Sequence, residues 1–127
     1  MTSVHQKYIS PVGLVAGASL AAKQYHGVKA ASTAGQVISV AASTDVVIGI
    51  VQNDPASGEP ADVAMLGVAL AIAGTSTITL GETLRCNSTG RMIETTTDNG
   101  RRIAVALQAS GADGDEISVL LTGADRY

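Results

Sequence analysis

Short apolar runs alternate with clusters of turn-forming residues along most of this chain. The apolar run 46–51 enters a loop of Asn, Asp, Pro, Ser, Gly and Glu residues, and a second apolar run, 63–73, leaves that loop. β-Branched residues on both sides of such a cluster are typical of two strands joined by a hairpin loop. Because Pro55 and Pro60 fix φ and lack an amide donor, the loop cannot continue the strand pairing. The pattern predicts a β-hairpin with a shaped, acidic tip.

The same arrangement recurs near the C-terminus, where residues 103–108 and 116–123 flank a second polar loop. Aligning residues 51–52 with 107–108 also aligns residues 63–66 with 117–120, with a loop two residues shorter. Two related hairpins in one small chain predict internal pseudo-symmetry.

The remaining runs predict further strands. Residues 23–30 and 36–42 are separated by a turn, and residues 83–86 and 91–94 flank a compact turn in which Gly90 can adopt positive φ. The chain contains about eight short predicted strands, separated by turn residues at the intervals that are typical of all-β proteins. No segment has convincing helical amphipathicity. The sequence therefore predicts an all-β fold, a small single-domain β-barrel or β-sandwich.

The N-terminal segment differs from the rest in composition. Residues 1–11 are polar with isolated apolar positions, and the apolar stretch 12–22 is too short and too glycine-rich to span a membrane. We expect residues 1–19 to form an extended arm and lead-in, and residues 20–127 to form the β domain. An arm of this kind commonly becomes ordered when it docks on a partner.

Charge and cysteine content exclude several classes of protein. A net charge of −3 with eight Lys and Arg residues argues against a nucleic-acid partner, which usually requires a basic face. The single cysteine, Cys86, rules out an intrachain disulfide and fits synthesis in a reducing cytoplasm. Since Cys86 alternates with Arg85 and shares the strand face of Leu84, we expect a buried thiol.

Candidate catalytic and metal-binding motifs are weak. His5 and His26 lack partners at metal-ligand or catalytic spacing and are interpreted as surface or turn residues. The acidic cluster 113–116 does not satisfy the spacing of a calcium-binding loop. We therefore expect no catalytic residues, no metal, no cofactor and no membrane partner, and a protein that acts through its surface.

A family resemblance rests on the order and spacing of several motifs between residues 20 and 121. An apolar strand ends in G-x-x-Q-N, a Pro- and Gly-Glu-containing loop follows, and a V-x-x-x-G strand comes next. A G-E-x-L strand, an N-x-x-G turn and an A-L-Q-A strand complete the series. These motifs are residues 49–53, 55–59, 63–67, 81–84, 87–90 and 106–109. In this order they resemble the small capsid decoration, or cement, proteins of tailed bacteriophages.

The resemblance implies a structural protein that is made in the bacterial cytoplasm and added to the outer surface of an assembled phage head. It implies two partners, the major capsid protein and further copies of this chain in a homotrimer. In this role the protein would bridge neighbouring capsid subunits and stabilise the shell against the pressure of packaged DNA. Many weak contacts repeated over a shell provide avidity without one strong site.

Two other functions stay open at the level of sequence. One is a soluble β domain that binds carbohydrate or a cell surface, although the chain has three Tyr and no Trp or Phe to form a sugar platform. The other is an enzyme with a cleft containing Asp54, Glu59 and His26, although no catalytic motif supports it.

Candidate contacts with the capsid or with other subunits come from the arm, the long loop and the tyrosines. The arm could also add a strand to an exposed sheet edge of the shell. The candidates are Val4, Tyr8, Ile9, Pro11, Tyr25, Asp54, Pro55 and Glu59.

Overall fold

A computed structural model describes residues 7–10, 13–95 and 102–126, without the side chains of 124–126. These residues contain eleven strands and no helix, which confirms the predicted all-β class. The strands are β1 (Lys7–Ile9), β2 (Val15–Ala16), β3 (Gly27–Ala30), β4 (Gln36–Ser39), β5 (Gly49–Val51), β6 (Val63–Ala64), β7 (Leu66–Ile72), β8 (Thr83–Cys86), β9 (Met92–Glu94), β10 (Arg102–Ala106) and β11 (Glu116–Arg126).

The strands form two sheets, and each sheet curves back on itself. One sheet has the order β2-β4-β3-β5-β6, and the other has the order β1-β7-β11-β10-β8-β9. A bridge between Val15 and Pro60 joins β2 to the segment before β6, and a bridge between Ala73 and Met92 joins the end of β7 to β9. We call the closed set β2–β6 the first ring and the closed set β7–β11 the second ring.

The two rings have the same topology. Around each ring the five strands, counted in chain order, follow one another as first, third, second, fourth and fifth. In both rings the contact between the first and third strands is parallel, and the others are antiparallel. The chain is therefore an internal duplication, as the pseudo-symmetric hairpins predicted.

Backbone hydrogen bonds outside the strand ladders recur in the second ring 55 to 57 positions later in the sequence. The amide of Tyr25 donates to the carbonyl of Val51 over 2.7 Å, and the amide of Gly81 donates to the carbonyl of Ala106 over 2.8 Å. Further matched pairs, donor first, are Gly17–Val37 with Gly74–Met92, Gly58–Ala16 with Gly114–Ala73, and Gln52–Asp62 with Leu107–Ser118. This correspondence shows that the loops as well as the strands are duplicated.

The interior of each ring is filled from matching positions. The first ring encloses Ala16, Leu20, Val28, Val37, Val51, Ala61 and Val63, all of them buried. In the same order, the second ring encloses Ala73, Ile78, Leu84, Met92, Ala106, Ile117 and Val119. The core of the second ring also includes Val40, Val47, Ile50 and Ala64 of the first ring. These four residues pack the first ring against the second, and their burial stabilises the contact between the rings.

Several details differ from the predictions. The hairpin around the long loop is confirmed by the pairing of Val51 with Val63, but the apolar run 63–73 divides at Met65 into β6 and β7, which belong to different sheets. The hydrogen bonds match Val51 with Ala106 rather than with Leu107, and Asp62 with Ser118, so the predicted alignment is wrong by one residue before the loop and by two residues after it. Because both positions carry apolar residues, hydrophobicity alone could not distinguish the two registers.

The N-terminal segment contributes to both sheets over its described residues. β1 pairs with β7, and β2 pairs with β4. These short strands, together with the division at Met65, account for strands beyond the predicted eight.

A buried glutamine side chain completes the second edge of β7. β1 pairs with this edge at residues 66–68, and further along the edge the carbonyl of Tyr25 accepts from the amide of Ile72. Between them, Gln52 Oε1 accepts from the amide of Leu70 over 3.3 Å, and Gln52 Nε2 donates to the carbonyl of Leu70 over 3.0 Å. The Gln52 carboxamide thus supplies the two bonds that a neighbouring strand would otherwise make.

The substitution Gln52→Met tests this bridge because it keeps the length of the side chain and removes both hydrogen bonds. Two partly buried backbone groups of Leu70 would lose their partners, so we expect the free energy of unfolding to fall by about 2 kcal/mol or more. Urea denaturation measures the change. As a matched control, Gln24→Met removes one bond from an exposed glutamine and should cost less than about 1 kcal/mol. Equal losses for the two variants would contradict the bridging role.

Candidate interaction surface

An exposed apolar face lies where β1, β7 and β11 pair. Ile9 pairs directly with Leu66, and Leu120 pairs with Val68, two positions along β7. The exposed fractions are 64% for Ile9, 43% for Leu66 and 39% for Leu120. Side chains that are paired across strands, or two positions apart on one strand, point to the same side of the sheet. We call Ile9, Leu66, Val68 and Leu120 the apolar sheet face.

Tyr8 points away from this face and holds β1 in place. Its side chain is half-buried against the core, and its hydroxyl donates to Asp62 Oδ2 over 2.6 Å. Burial, followed by the hydrogen bond and the negative charge of Asp62, raises the pKa of Tyr8 to about 12. Tyr8, expected as a contact, is therefore also an anchor that positions its exposed neighbour Ile9.

Tyr25 occupies a backbone conformation that favours glycine. Its φ is +66°, and among the described residues no other non-glycine residue has a positive φ. The matching position in the second ring is Gly81, with φ +87° and the same amide hydrogen bond. A side chain in this conformation costs about 1 kcal/mol or more. Such strain is retained when the surrounding structure holds the residue in place. Tyr25 is half-buried and lies close to Tyr8.

The long loop between β5 and β6 is held by its own hydrogen bonds. Pro55 is buried, and its carbonyl accepts from the amide of Leu20 over 2.8 Å. Glu59 is exposed, and its Oε1 accepts from the amide of Ala56 over 2.8 Å. Asp54 is exposed. Of the three loop candidates, the two carboxylates are thus open to a partner, whereas Pro55 shapes the loop from inside.

Two candidate contacts, Val4 and Pro11, lie outside the described residues, as does His5. Tyr8 and Ile9 lie on opposite sides of one strand, and the electrostatic effect of Tyr25 is the smallest of the causes that raise the pKa of Tyr8. Sequence reasoning missed Leu66 and Leu120. Their signal was two strands, β7 and β11, that carry apolar residues on both of their faces, which exceeds what one buried face requires.

The polar residues that suggested other chemistry have structural roles. His26 is buried in a turn, and its Nδ1 lies 3.0 Å from the carbonyl of Gln24. Burial is the main cause that lowers the pKa of His26. Cys86 is buried, as predicted from its alternation with Arg85. Among the residues that the structure describes, no three His, Cys, Asp or Glu side chains are grouped as metal ligands, and no helix could cross a membrane.

Comparison with known proteins agrees with this architecture. A family model described as phage cement protein matches residues 14–121, which is most of the chain. The chain belongs to the phage cement protein family. No curated protein sequence matches it. The fold is similar to the crystal structure of the head fiber gp8.5 N base of bacteriophage phi29, with a TM-score of 0.66, 17% sequence identity, and coverage of 90% of this chain and 94% of that chain.

Membership of this family confirms the predicted resemblance and supports a structural role in the phage head. The residues that carried the resemblance stabilise the fold. A Cβ on Gly49 would lie 2.4 Å from the carbonyl oxygen of Ala64, so only glycine fits there. Gln52 completes the edge of β7, and Asn53 accepts from the amide of Asp62 and donates to the carbonyl of Pro60. The G-x-x-Q-N motif is therefore explained by packing and hydrogen bonding.

The substitution Tyr8→Phe tests the anchor of β1 through its pH dependence. Because the pKa of Tyr8 is raised from 10.0 to about 12, its contribution to stability is present below pH 10 and is lost as the pH rises towards 12. We expect Tyr8→Phe to lower the free energy of unfolding at pH 8 by about 1 kcal/mol and to reduce the decline above pH 10. Urea denaturation between pH 8 and the alkaline limit of folding measures both effects. Tyr25→Phe, which retains Tyr8, should keep the decline, and an unchanged decline in Tyr8→Phe would refute the anchor.

Proposed function

We propose that this cement protein binds the outer surface of the assembled phage head, on the major capsid protein, and stabilises the shell against the pressure of packaged DNA. The apolar sheet face is the observation that carries the proposal. Exposed apolar residues that are contiguous on one sheet face commonly mark a protein interface.

The duplicated architecture suits a brace between subunits. A brace must hold its contacts at a fixed separation, because a flexible link would let the subunits part before it carried load. The core of the second ring includes four residues of the first ring, and the rings are further joined by the hydrogen bonds of Gln52. Because packed interiors are dense and resist deformation, the protein can transmit force from one ring to the other.

Self-association is the second part of the proposal. We infer that the protein acts as a homotrimer at three-fold positions of the shell, an inference that rests on the resemblance to decoration proteins. Size-exclusion chromatography with light scattering gives the mass directly. A stable monomer, both free and on the shell, would exclude this part and leave shell binding untouched.

Contacts beyond the apolar sheet face are proposed for the remaining candidates. Val4 and Pro11 would contact the shell from the arm, Tyr25 from the turn before β3, and Asp54 and Glu59 from the long loop. Truncating the arm through residue 10 is an ambiguous test, because it also removes β1 from the edge of β7. Substitution of single exposed side chains separates binding from folding.

The substitution Leu120→Thr tests shell binding at the apolar sheet face, and it introduces a β-branched residue that suits a strand position. We expect at least about tenfold weaker binding, since loss of one interface anchor commonly costs more than 1 kcal/mol. Co-sedimentation with empty expanded heads of the cognate phage measures the affinity. Leu80→Thr is the matched control, because Leu80 is 70% exposed but lies in a loop outside this face.

Circular dichroism would first establish that both variants fold. Equal affinity of Leu120→Thr and wild type would exclude this face as the contact. Equal weakening by Leu80→Thr would show that exposed leucines act without regard to position.

A further inference from the structure

A cleft of about 440 Å³ lies where the turn before β3 meets the second ring. The first ring contributes the turn that precedes β3, and the second ring contributes the β8–β9 turn and one residue of the β10–β11 loop. None of the lining residues is Phe, Tyr or Trp. The cleft is lined by Ala22, Lys23, His26, Asn87, Thr89, Arg91 and Asp113.

A close backbone contact between the rings adjoins the cleft, at residues next in sequence to its lining residues. The amide of Gly27 donates to the carbonyl of Gly90 over 2.8 Å. A Cβ on Gly27 would lie 2.4 Å from the Sγ atom of Cys86, so the rings approach this closely because residue 27 has no side chain. The lining residues are thus held on two elements that cannot separate without breaking a backbone hydrogen bond.

Hydrogen bonds within the β8–β9 turn orient part of the wall. Asn87 Oδ1 accepts from the amides of Thr89 and Arg91 and from the hydroxyl of Thr89. These bonds fix the orientation of the Asn87 carboxamide, and its Nδ2 group, which has no hydrogen-bond partner among the described residues, is left as a donor. A preformed polar wall requires little ordering when a ligand binds.

The cleft has a surplus of one positive charge. Arg91 Nη1 pairs with Asp113 Oδ1 at 2.8 Å, which neutralises one cation. The ammonium of Lys23 has no hydrogen-bond or ion-pair partner among the described residues. His26 Nδ1 must donate to the carbonyl of Gln24, and the lowered pKa of its ring keeps it neutral at pH 7. The local charge of +1 contrasts with the net charge of −3 of the whole chain.

We propose that this cleft binds one carboxylate, supplied by an acidic segment of the capsid protein that the cement protein contacts. Lys23 provides the unpaired charge, while the guanidinium of Arg91 and the side-chain Nδ2 group of Asn87 provide directional donors. A single carboxylate neutralises the surplus charge, whereas a phosphate diester chain would require a longer basic surface. This inference rests on the proposed shell-binding function and names the chemistry of a second contact, separate from the apolar sheet face.

A titration followed by NMR tests the cleft without the shell. The probe is the acetylated, amidated peptide Asp-Glu-Asp, and its matched neutral control is Asn-Gln-Asn. We expect the acidic peptide alone to give saturable shifts at the backbone amides of Lys23, His26 and Arg91. Lys23→Gln should weaken this binding at least about fivefold, whereas Arg85→Gln should not, because Arg85 lies on β8 outside the cleft.

Other outcomes of the titration would overturn the proposal. Shifts of the same size with the neutral peptide would show that charge is irrelevant. If acetate binds the cleft with the same affinity as the peptide, the cleft is a site for small carboxylates rather than for a protein segment. No shifts at the cleft with any of the probes would exclude a carboxylate site.

Co-sedimentation of the Lys23→Gln variant with expanded heads tests the same contact on the shell. We expect at least about fivefold weaker binding than for wild type, with Arg85→Gln unchanged. Wild-type affinity of Lys23→Gln would exclude the cleft as a shell contact. If wild-type protein does not bind heads at all, the proposed function fails, and the peptide titration still decides whether the cleft recognises a carboxylate.

Discussion

The carboxamide of Gln52 completes a sheet edge on which the arrangement of both rings depends. β7 has one edge paired with β11, while its other edge must be satisfied by β1, by Gln52 and by the turn at Tyr25. Gln52 follows β5 of the first ring and bonds β7 of the second, so its two hydrogen bonds fix one ring against the other. Because an unpaired backbone group away from water is costly, the edge strongly favours this arrangement over alternatives in which the rings separate.

The positions at which the two copies differ follow from this junction. Leu107 occupies the place of Gln52 in the second ring. The amide of Gln52 donates a hydrogen bond to the carbonyl of Asp62, and the amide of Leu107 donates the matching bond to the carbonyl of Ser118. Within the part of the chain that the structure describes, no other ring packs at this position, so an apolar residue suffices there. Similarly, Gly81 adopts without strain the positive φ that is strained for Tyr25. The carbonyl of Tyr25 accepts a hydrogen bond from the amide of Ile72 in β7. The interiors, in contrast, differ mainly in the size of aliphatic side chains.

Local sequence signals predicted the strand pairs, since alternation and turn residues act over a few positions. The hairpins of β5–β6, β8–β9 and β10–β11 are all present. What the sequence left open depends on long-range placement. A continuous apolar run does not mark the point at Met65 where the chain changes sheets, and it hides which residues of β7 stay exposed. The cleft could not be predicted from the sequence either. The contact between Gly27 and Gly90 brings Lys23 and Arg91 together, and their separation along the sequence does not indicate that contact.

On the proposed function, the two candidate contacts complement one another. An apolar face gains affinity from buried area but tolerates displacement, since the hydrophobic effect has no direction. A charged cleft with oriented donors contributes specificity and register more than raw affinity. Both lie on one packed body, the first on β1, β7 and β11, the second at the junction of the rings. A brace that combines them would bind strongly to a seam of the shell and in a single orientation, which is what repeated placement on a regular lattice requires.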